Sequence, residues 1–349
     1  MRAHGLALAV ALAAAPAPAA VPAPAAAPAP AVEAQPPAPP TVEATFEHDL
    51  VTPTGLVRLT WPSISYDRES GEVLVAAEGF VRVFDASGME VHRFGDDGSL
   101  GNVSRAVALR DGSMVVLTRL NGRRAYFRCD FRGEPVEQLG LTGLPDELAD
   151  FDPDQMVYRD GALYFAERGT MRVVVTDPAG AFRRAVALRE LVAAAVTGDP
   201  DRKLPAGLDA FSVDGSGNLL FTMSTTFAAG VVSPAGELRL FGTRGSRPGK
   251  FNIIGGIDAD EAGNVFVTDR LRSVVSVWDR QLRHLGDFGY RGDDPSNLLT
   301  PYEIAAGNGR VFVAQAGRRG VKVFRVRLVT PVPPAPPPGP PPLGARSGP

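Results

Sequence analysis

Cysteine is almost missing from this chain: Cys129 is the only one in 349 residues. That excludes a disulfide framework, a multi-cysteine zinc or iron–sulfur site and covalently attached haem, since no C-x-x-C-H occurs. Histidine is nearly as scarce, with only His4, His48, His92 and His284. Lysine is limited to Lys203, Lys250 and Lys322, so the basic side chains are almost all arginine. There is no basic excess either, because 36 Lys and Arg face 39 Asp and Glu for a net charge of −3. Such a chain has no global positive field for collecting phosphates, so no nucleic-acid partner is expected and any anion binding must be local.

Long hydrophobic runs are also lacking. The apolar stretch from Leu6 is about ten residues long, where a membrane helix needs roughly 20. Behind Arg2 it reads as the core of a signal peptide over residues 1–19, with Ala17-Pro18-Ala19 as the cleavage site before Ala20. Export to the periplasm or beyond is the expectation. The lone cysteine is far from that junction, so no lipid anchor is expected. Residues 20–42 are nearly all Ala and Pro and read as an extended linker, and residues 330–349 repeat that composition as a Pro-rich disordered tail.

Between these tails, over residues 43–329, one pattern returns six times. Its anchors are GEVLVAA from Gly71, GSMVVLT from Gly112, GALYFAE from Gly161, GNLLFTM from Gly217, GNVFVTD from Gly263 and GRVFVAQ from Gly309. The glycines lie 41, 49, 56, 46 and 46 residues apart. Four short strands with turns occupy about 45 residues, the size of one propeller blade. The anchors are nearly unbroken Val, Leu and Phe, as a strand buried on both faces requires, whereas a solvated sheet would alternate. The reading is an all-β, six-bladed β-propeller with four-stranded antiparallel blades. The sixth repeat stops after its third strand, and Ala44 to Val51 supplies the missing outer strand, so an N-terminal strand closes the ring by pairing with Val321 to Val329.

The stretch GSRPGKFNIIGGIDADEAGNVFVTDRLRSVVSVWD, residues 245–279, resembles an NHL repeat of the exported bacterial type. It has the P-G-x-F lead-in, the G-I-x-x-D and G-N-V-x-V-x-D strands and the closing V-x-V-x-D. The sixth repeat keeps this pattern less well, and the first four keep mainly the glycine and hydrophobic spacing. The resemblance implies the propeller fold and leaves function open, since similar propellers bind RNA, bind proteins or act as enzymes. Exported relatives are sometimes associated with c-type cytochromes, which makes a multihaem cytochrome one partner the resemblance implies.

In such a blade, the loop between strands two and three lies at the same end as the crossing to the next blade. The loops of that end carry Arg119, Arg123, Arg124, Arg168, Arg172, Arg270, Arg272, Arg318 and Arg319 against Glu78, Glu167 and Asp269. They form a candidate face for an acidic protein, an anionic polysaccharide or haem propionates, guanidinium forks matching carboxylates. The competing reading is a solvated rim paired with crossing-loop acids such as Asp150, Asp152, Asp199 and Asp201. The longest spacing brackets LRELVAAAV from Leu188, which has helix-forming composition and predicts a short helix over the rim.

No catalytic residue is assigned. Asp154, Asp209 and Glu303 begin inner strands and could meet at the channel mouth, loosely resembling the calcium site of lactonase-type propellers. A metal-dependent hydrolase or lyase is thus the alternative to a non-enzymatic binding or scaffold propeller. The lactonase pattern also uses asparagines that this chain lacks there, and Glu303 has Arg105 as an ordinary ion-pair partner. No cofactor is expected, with Ca2+ in the channel as the alternative. The histidines are too few and too scattered for the zinc site of peptidyl-amidating lyase propellers. Cys129 is expected as an inert core thiol, and Trp61 and Trp278 as packing residues.

Overall fold

The computed structural model describes residues 40–56, 59–197, 203–317 and 319–329. The regions read as signal peptide and proline-rich tail, and all but the end of the linker, lie outside them.

Each repeat folds into a four-stranded antiparallel sheet in which sequence neighbours pair in order. Blade 1 is Ser63–Tyr66, Val73–Ala77, Phe80–Phe84 and Glu90–Phe94. Blade 2 is Asn102–Ala108, Met114–Leu120, Arg123–Cys129 and Pro135–Gln138, and blade 3 is Gln155–Arg159, Ala162–Glu167, Arg172–Thr176 and Phe182–Ala187. Blade 4 is Ala210–Val213, Leu219–Met223, Ala228–Val232 and Leu238–Phe241, and blade 5 is Ile254–Ala259, Val265–Asp269, Val274–Trp278 and His284–Phe288. Blade 6 takes Pro301–Gly307, Arg310–Gln315 and Val321–Val329 from the end of the chain and its outer strand, Thr41–Asp49, from the beginning.

The closing strand runs antiparallel from Thr41 opposite Val329 to Asp49 opposite Lys322, with an irregularity between Phe46 and His48. It starts three residues before the expected Ala44, because Thr41 and Val42 are β-branched residues that pair as readily as those behind them. It stops at Asp49, and Val51–Thr52 instead pairs with Gly55–Leu56 as a small hairpin.

Period-two alternation builds the core. In blade 1, Val73, Val75 and Ala77 pack toward blade 6, while Leu74 and Ala76 between them pack toward blade 2. The described residues form six hydrophobic clusters, one at each junction between neighbouring blades. The second strands therefore need apolar side chains on both faces, which is why they carry no alternation.

The turns follow from aspartate and glycine chemistry. Asp85, Asp130 and Asp177 each accept backbone N–H bonds two and four residues on, and the glycine that follows each three residues later has positive φ. Gly255 and Gly256 serve another purpose. A Cβ on Gly255 would lie 2.7 Å from the Tyr302 carbonyl oxygen, and one on Gly256 would lie 2.8 Å from the Ile304 nitrogen, so the inner strands of blades 5 and 6 approach backbone to backbone. The helix Leu188–Val196 forms where its composition predicts, with Leu188 and Val192, one turn apart, buried in the junction of blades 3 and 4.

Candidate functional site

The loop between strands two and three meets the start of an inner strand in several blades. Gly79 bridges to Val103, the Leu208 N–H donates to the Arg168 carbonyl, and the Arg270 N–H donates to the Ile253 carbonyl. These loops and the crossings thus share one end, and the candidate arginines among the described residues stand on it.

Four of those arginines are held by carboxylates. Arg124 pairs with Asp152 and also donates to its carbonyl at 2.9 Å. Arg168 Nε lies 2.6 Å from Asp154. Arg172 lies 2.7 Å from both Asp150 and Glu167, and hydrogen bonding, to Asp150 first, raises its pKa while lowering that of Asp150. Arg272, with 9% of its side chain accessible, pairs with Asp287 and donates to the Lys250 carbonyl at 3.2 Å. Burial pushes the Asp287 carboxyl up, but hydrogen bonds from His284 and Arg272 outweigh it and hold the group below its ordinary value.

Arg119, Arg123, Arg270 and Arg319 have no carboxylate partner among the described residues, and all but Arg270 are exposed. Arg318 lies outside the described residues. Arg270 lies 5.1 Å over the ring of Trp61, with its Nε buried and without an acceptor. Trp61, expected as packing, is 52% exposed. It meets Tyr302 in a T-shaped arrangement at 4.8 Å between ring centres, with Arg270 over its ring. Trp278 is buried between Phe241 and Phe251 as expected. Exposed Leu120, Ile253 and Leu271 lie on the same end as Trp61. Charge counting by loop did not reveal this arc; an isolated tryptophan just before a strand, followed by proline, was the available signal.

The three inner-strand carboxylates do not assemble. Asp154 takes Arg168, Asp209 accepts the Ser224 hydroxyl at 2.8 Å, and Glu303 lies 3.1 Å from Arg105. Among the described residues no three His, Cys, Asp or Glu side chains stand close enough to hold a metal ion. His92 and His284 lie on outer strands. Cys129 is buried, and burial pushes its thiol up to about 12, far from a thiolate nucleophile.

Sequence reasoning missed the polar interior of the channel. Asp258, on the inner strand of blade 5, accepts the Ser212 hydroxyl at 2.6 Å and the Ala306 N–H at 2.8 Å. Arg68 of blade 1 reaches Asp258 at 3.4 Å and donates to the carbonyls of Ala259 and Ala306. Arg159 of blade 3 donates to the Val213 carbonyl at 2.9 Å. Blades are thereby tied across the axis as well as through their apolar faces. A cavity of about 150 Å³ remains among these groups, running from Arg105, Gln155 and Glu303 to the turns at Glu69, Arg110 and Asp160. These turns lie at the end opposite the arginine rim.

No family model matches the chain, and no curated protein matches its sequence. Solved structures do match in shape. A structural genomics protein of unknown function from Bacteroides thetaiotaomicron is 12% identical, with 82% of this chain and 76% of that one covered at a TM-score of 0.56. Regucalcin, a calcium-binding protein from Agrobacterium tumefaciens, is 14% identical, with 81% and 97% covered at 0.52. An inactive virginiamycin B lyase from Staphylococcus aureus, with quinupristin, is 14% identical, with 83% and 88% covered at 0.51. At these identities the likeness establishes the architecture alone: the chain is an all-β, six-bladed propeller with four-stranded antiparallel blades.

Proposed function

We propose that the protein is a non-enzymatic binding propeller that docks an acidic protein surface on its arginine rim. One observation carries this reading: the candidate arginines without carboxylate partners among the described residues stand on either side of the exposed Trp61. Arg270 belongs to blade 5, Arg319 to blade 6, and Arg119 and Arg123 to blade 2, with exposed Trp61 at the start of blade 1. They span four successive blades, whereas Arg168 and Arg172 of blade 3 are already paired. Tryptophan and arginine together are the side chains that most often dominate protein interfaces.

The reading extends to an NHL-like protein exported by its N-terminal signal and working in the cell envelope, where the acidic partner is a c-type cytochrome. The support is the short apolar leader and the NHL-like stretch of residues 245–279. The alternative, a metal-dependent hydrolase or lyase at the channel mouth, has little support, because Asp154, Asp209 and Glu303 each have another partner.

The test compares two quadruple alanine variants in titrations against an acidic c-type cytochrome at two salt concentrations. Replacing Arg119, Arg123, Arg270 and Arg319 is expected to weaken binding strongly at low salt and less at high salt, because exposed charges are screened within about 8 Å at physiological ionic strength. Replacing the paired Arg124, Arg168, Arg172 and Arg272 is expected to lower stability more than affinity. Unchanged affinity of the first variant at low salt overturns the proposal. Preference for an anionic polysaccharide over the protein overturns its choice of partner.

A further inference from the structure

Trp61 is exposed without being loose. On one side of it Leu59 is buried in the junction of blades 6 and 1, and on the other Pro62 is buried, with its carbonyl accepting the Tyr302 hydroxyl. Burial pushes the Tyr302 pKa up, so that hydroxyl stays protonated and remains a donor. The segment is clamped at both ends while the indole between them stays out. Its backbone is left-handed, with φ 51°, a conformation that a bulky side chain adopts only at a cost. Folding gains little in return, because half of the indole surface is never buried.

The surroundings of the indole are apolar and cationic. Arg270 lies over the ring, and its N–H donates to the Ile253 carbonyl at 2.7 Å, which brings Ile253 alongside. Leu271 follows in the chain. Ile253 is 42% exposed and Leu271 65%, so this surface is open rather than enclosed. An open surface suits a side chain delivered by a macromolecule, since small ligands bind in concave sites. Arg270 offers charge to the same occupant: its guanidinium has no acceptor among the described residues, and Nε is shut off from solvent without one. A cation of this kind beside apolar side chains matches a carboxylate that adjoins an apolar residue.

We propose that Trp61, Ile253 and Leu271 form the apolar centre of the docking surface, taking one large aliphatic side chain of the acidic partner while Arg270 takes a carboxylate next to it. This inference rests on the docking reading and names what the partner must present: an acidic segment with an aliphatic residue inside it. The other free arginines then steer and the centre discriminates, because screening by salt weakens exposed charge pairs and not apolar contact.

Two short acidic peptides test it, identical but for a leucine or a serine between the same glutamates, with binding followed by the anisotropy of a label on the peptide. Wild type is expected to bind the leucine peptide about tenfold more tightly, the effect of burying part of one aliphatic side chain. Added salt is expected to weaken both peptides and keep that ratio. Trp61→Gly, which suits the left-handed backbone, and Leu271→Ser, on an exposed loop, are each expected to bring the ratio toward one without unfolding the protein. Arg270→Ala is expected to cost more affinity than Arg319→Ala. Equal affinity of the two peptides for wild type, or a ratio unchanged in both Trp61→Gly and Leu271→Ser, overturns the proposal, and equal cost of the two arginine variants overturns the carboxylate contact. Binding of neither peptide overturns it as well, and the cytochrome titration then decides the docking reading by itself. Replacing Arg119, Arg123 and Arg319 by Ala separates the two readings: it is expected to weaken both peptides and keep their ratio, and a ratio kept with no weakening supports the apolar centre while removing the arginine rim.

Discussion

At the residue scale, the most consequential pair outside the channel is Arg272 with Asp287. Both are nearly inaccessible, at 9% and 1% of their side chains, and the aspartate also receives His284 Nε2 at 3.0 Å. Removing one member strands the other, which typically costs about 3–5 kcal/mol. Because the folded carboxyl titrates below its unfolded value, its contribution is complete above the unfolded pKa and lost as pH falls through the folded one. Asp287→Asn is therefore expected to lower the denaturation midpoint at neutral pH and to flatten its acid-side decline, as chemical unfolding across a pH series would show. A decline as steep as wild type would remove Asp287 from the account. Arginine positions were legible in the sequence, but their pairing was not. Arg124, at the start of a third strand, and Arg270, in the loop before one, stand at the same end of their blades, and whether each meets a carboxylate or an indole depends on the neighbouring blade.

At the scale of elements, the closing strand is the clearest case of local pattern and global topology agreeing. Val42, Ala44 and Phe46 contribute to the apolar junction of blades 5 and 6, while Glu47 on the same strand lies 2.6 Å from Arg325 and 2.9 Å from Arg310. Deleting residues 41–49 exposes the edge of Val321–Val329 and removes those contacts. The midpoint of thermal unfolding is expected to fall by far more than an average point mutation, worth about 1 kcal/mol, would produce. Deleting residues 20–39 is expected to leave it unchanged, and equal midpoints for the two truncations would argue against the clasp. Strand identity and order were readable because glycine spacing and doubly buried apolar runs recur six times. Strand ends were less so, since Thr41 and Val42 sit at a compositional boundary that pairing, and not propensity, resolves. The interior ties were hidden for a related reason. Arg68 lies in a turn and Asp258 in a strand 190 residues away, and only closure of the ring brings them together.

At the scale of the molecule, six junctions of similar construction leave no terminal repeat exposed. An open array can lose its ends while the middle persists. A closed ring has no such option, and the channel bonds between non-adjacent blades reinforce this. Phe165, fully buried at the junction of blades 2 and 3, lies well around the ring from Trp278 at the junction of blades 4 and 5. Phe165→Ala is expected to cost about 3–5 kcal/mol and to shift the transition reported by Trp278 fluorescence, measured with Trp61 replaced by Phe, as much as that seen by circular dichroism. A Trp278 transition left at the wild-type midpoint would mean that the blades unfold separately.

The clasp also orders events in time. Thr41–Asp49 leaves the ribosome before any of its partners, and Val321–Val329 leaves after nearly everything else. Blades 1 to 5 can form their own hairpins as they emerge, but the sixth lacks an edge strand until both ends of the domain exist. Throughout synthesis the growing chain therefore has an unsealed ring, and its last folding step joins its oldest segment to its newest. A polypeptide with that schedule stays threadable until its final strand is made.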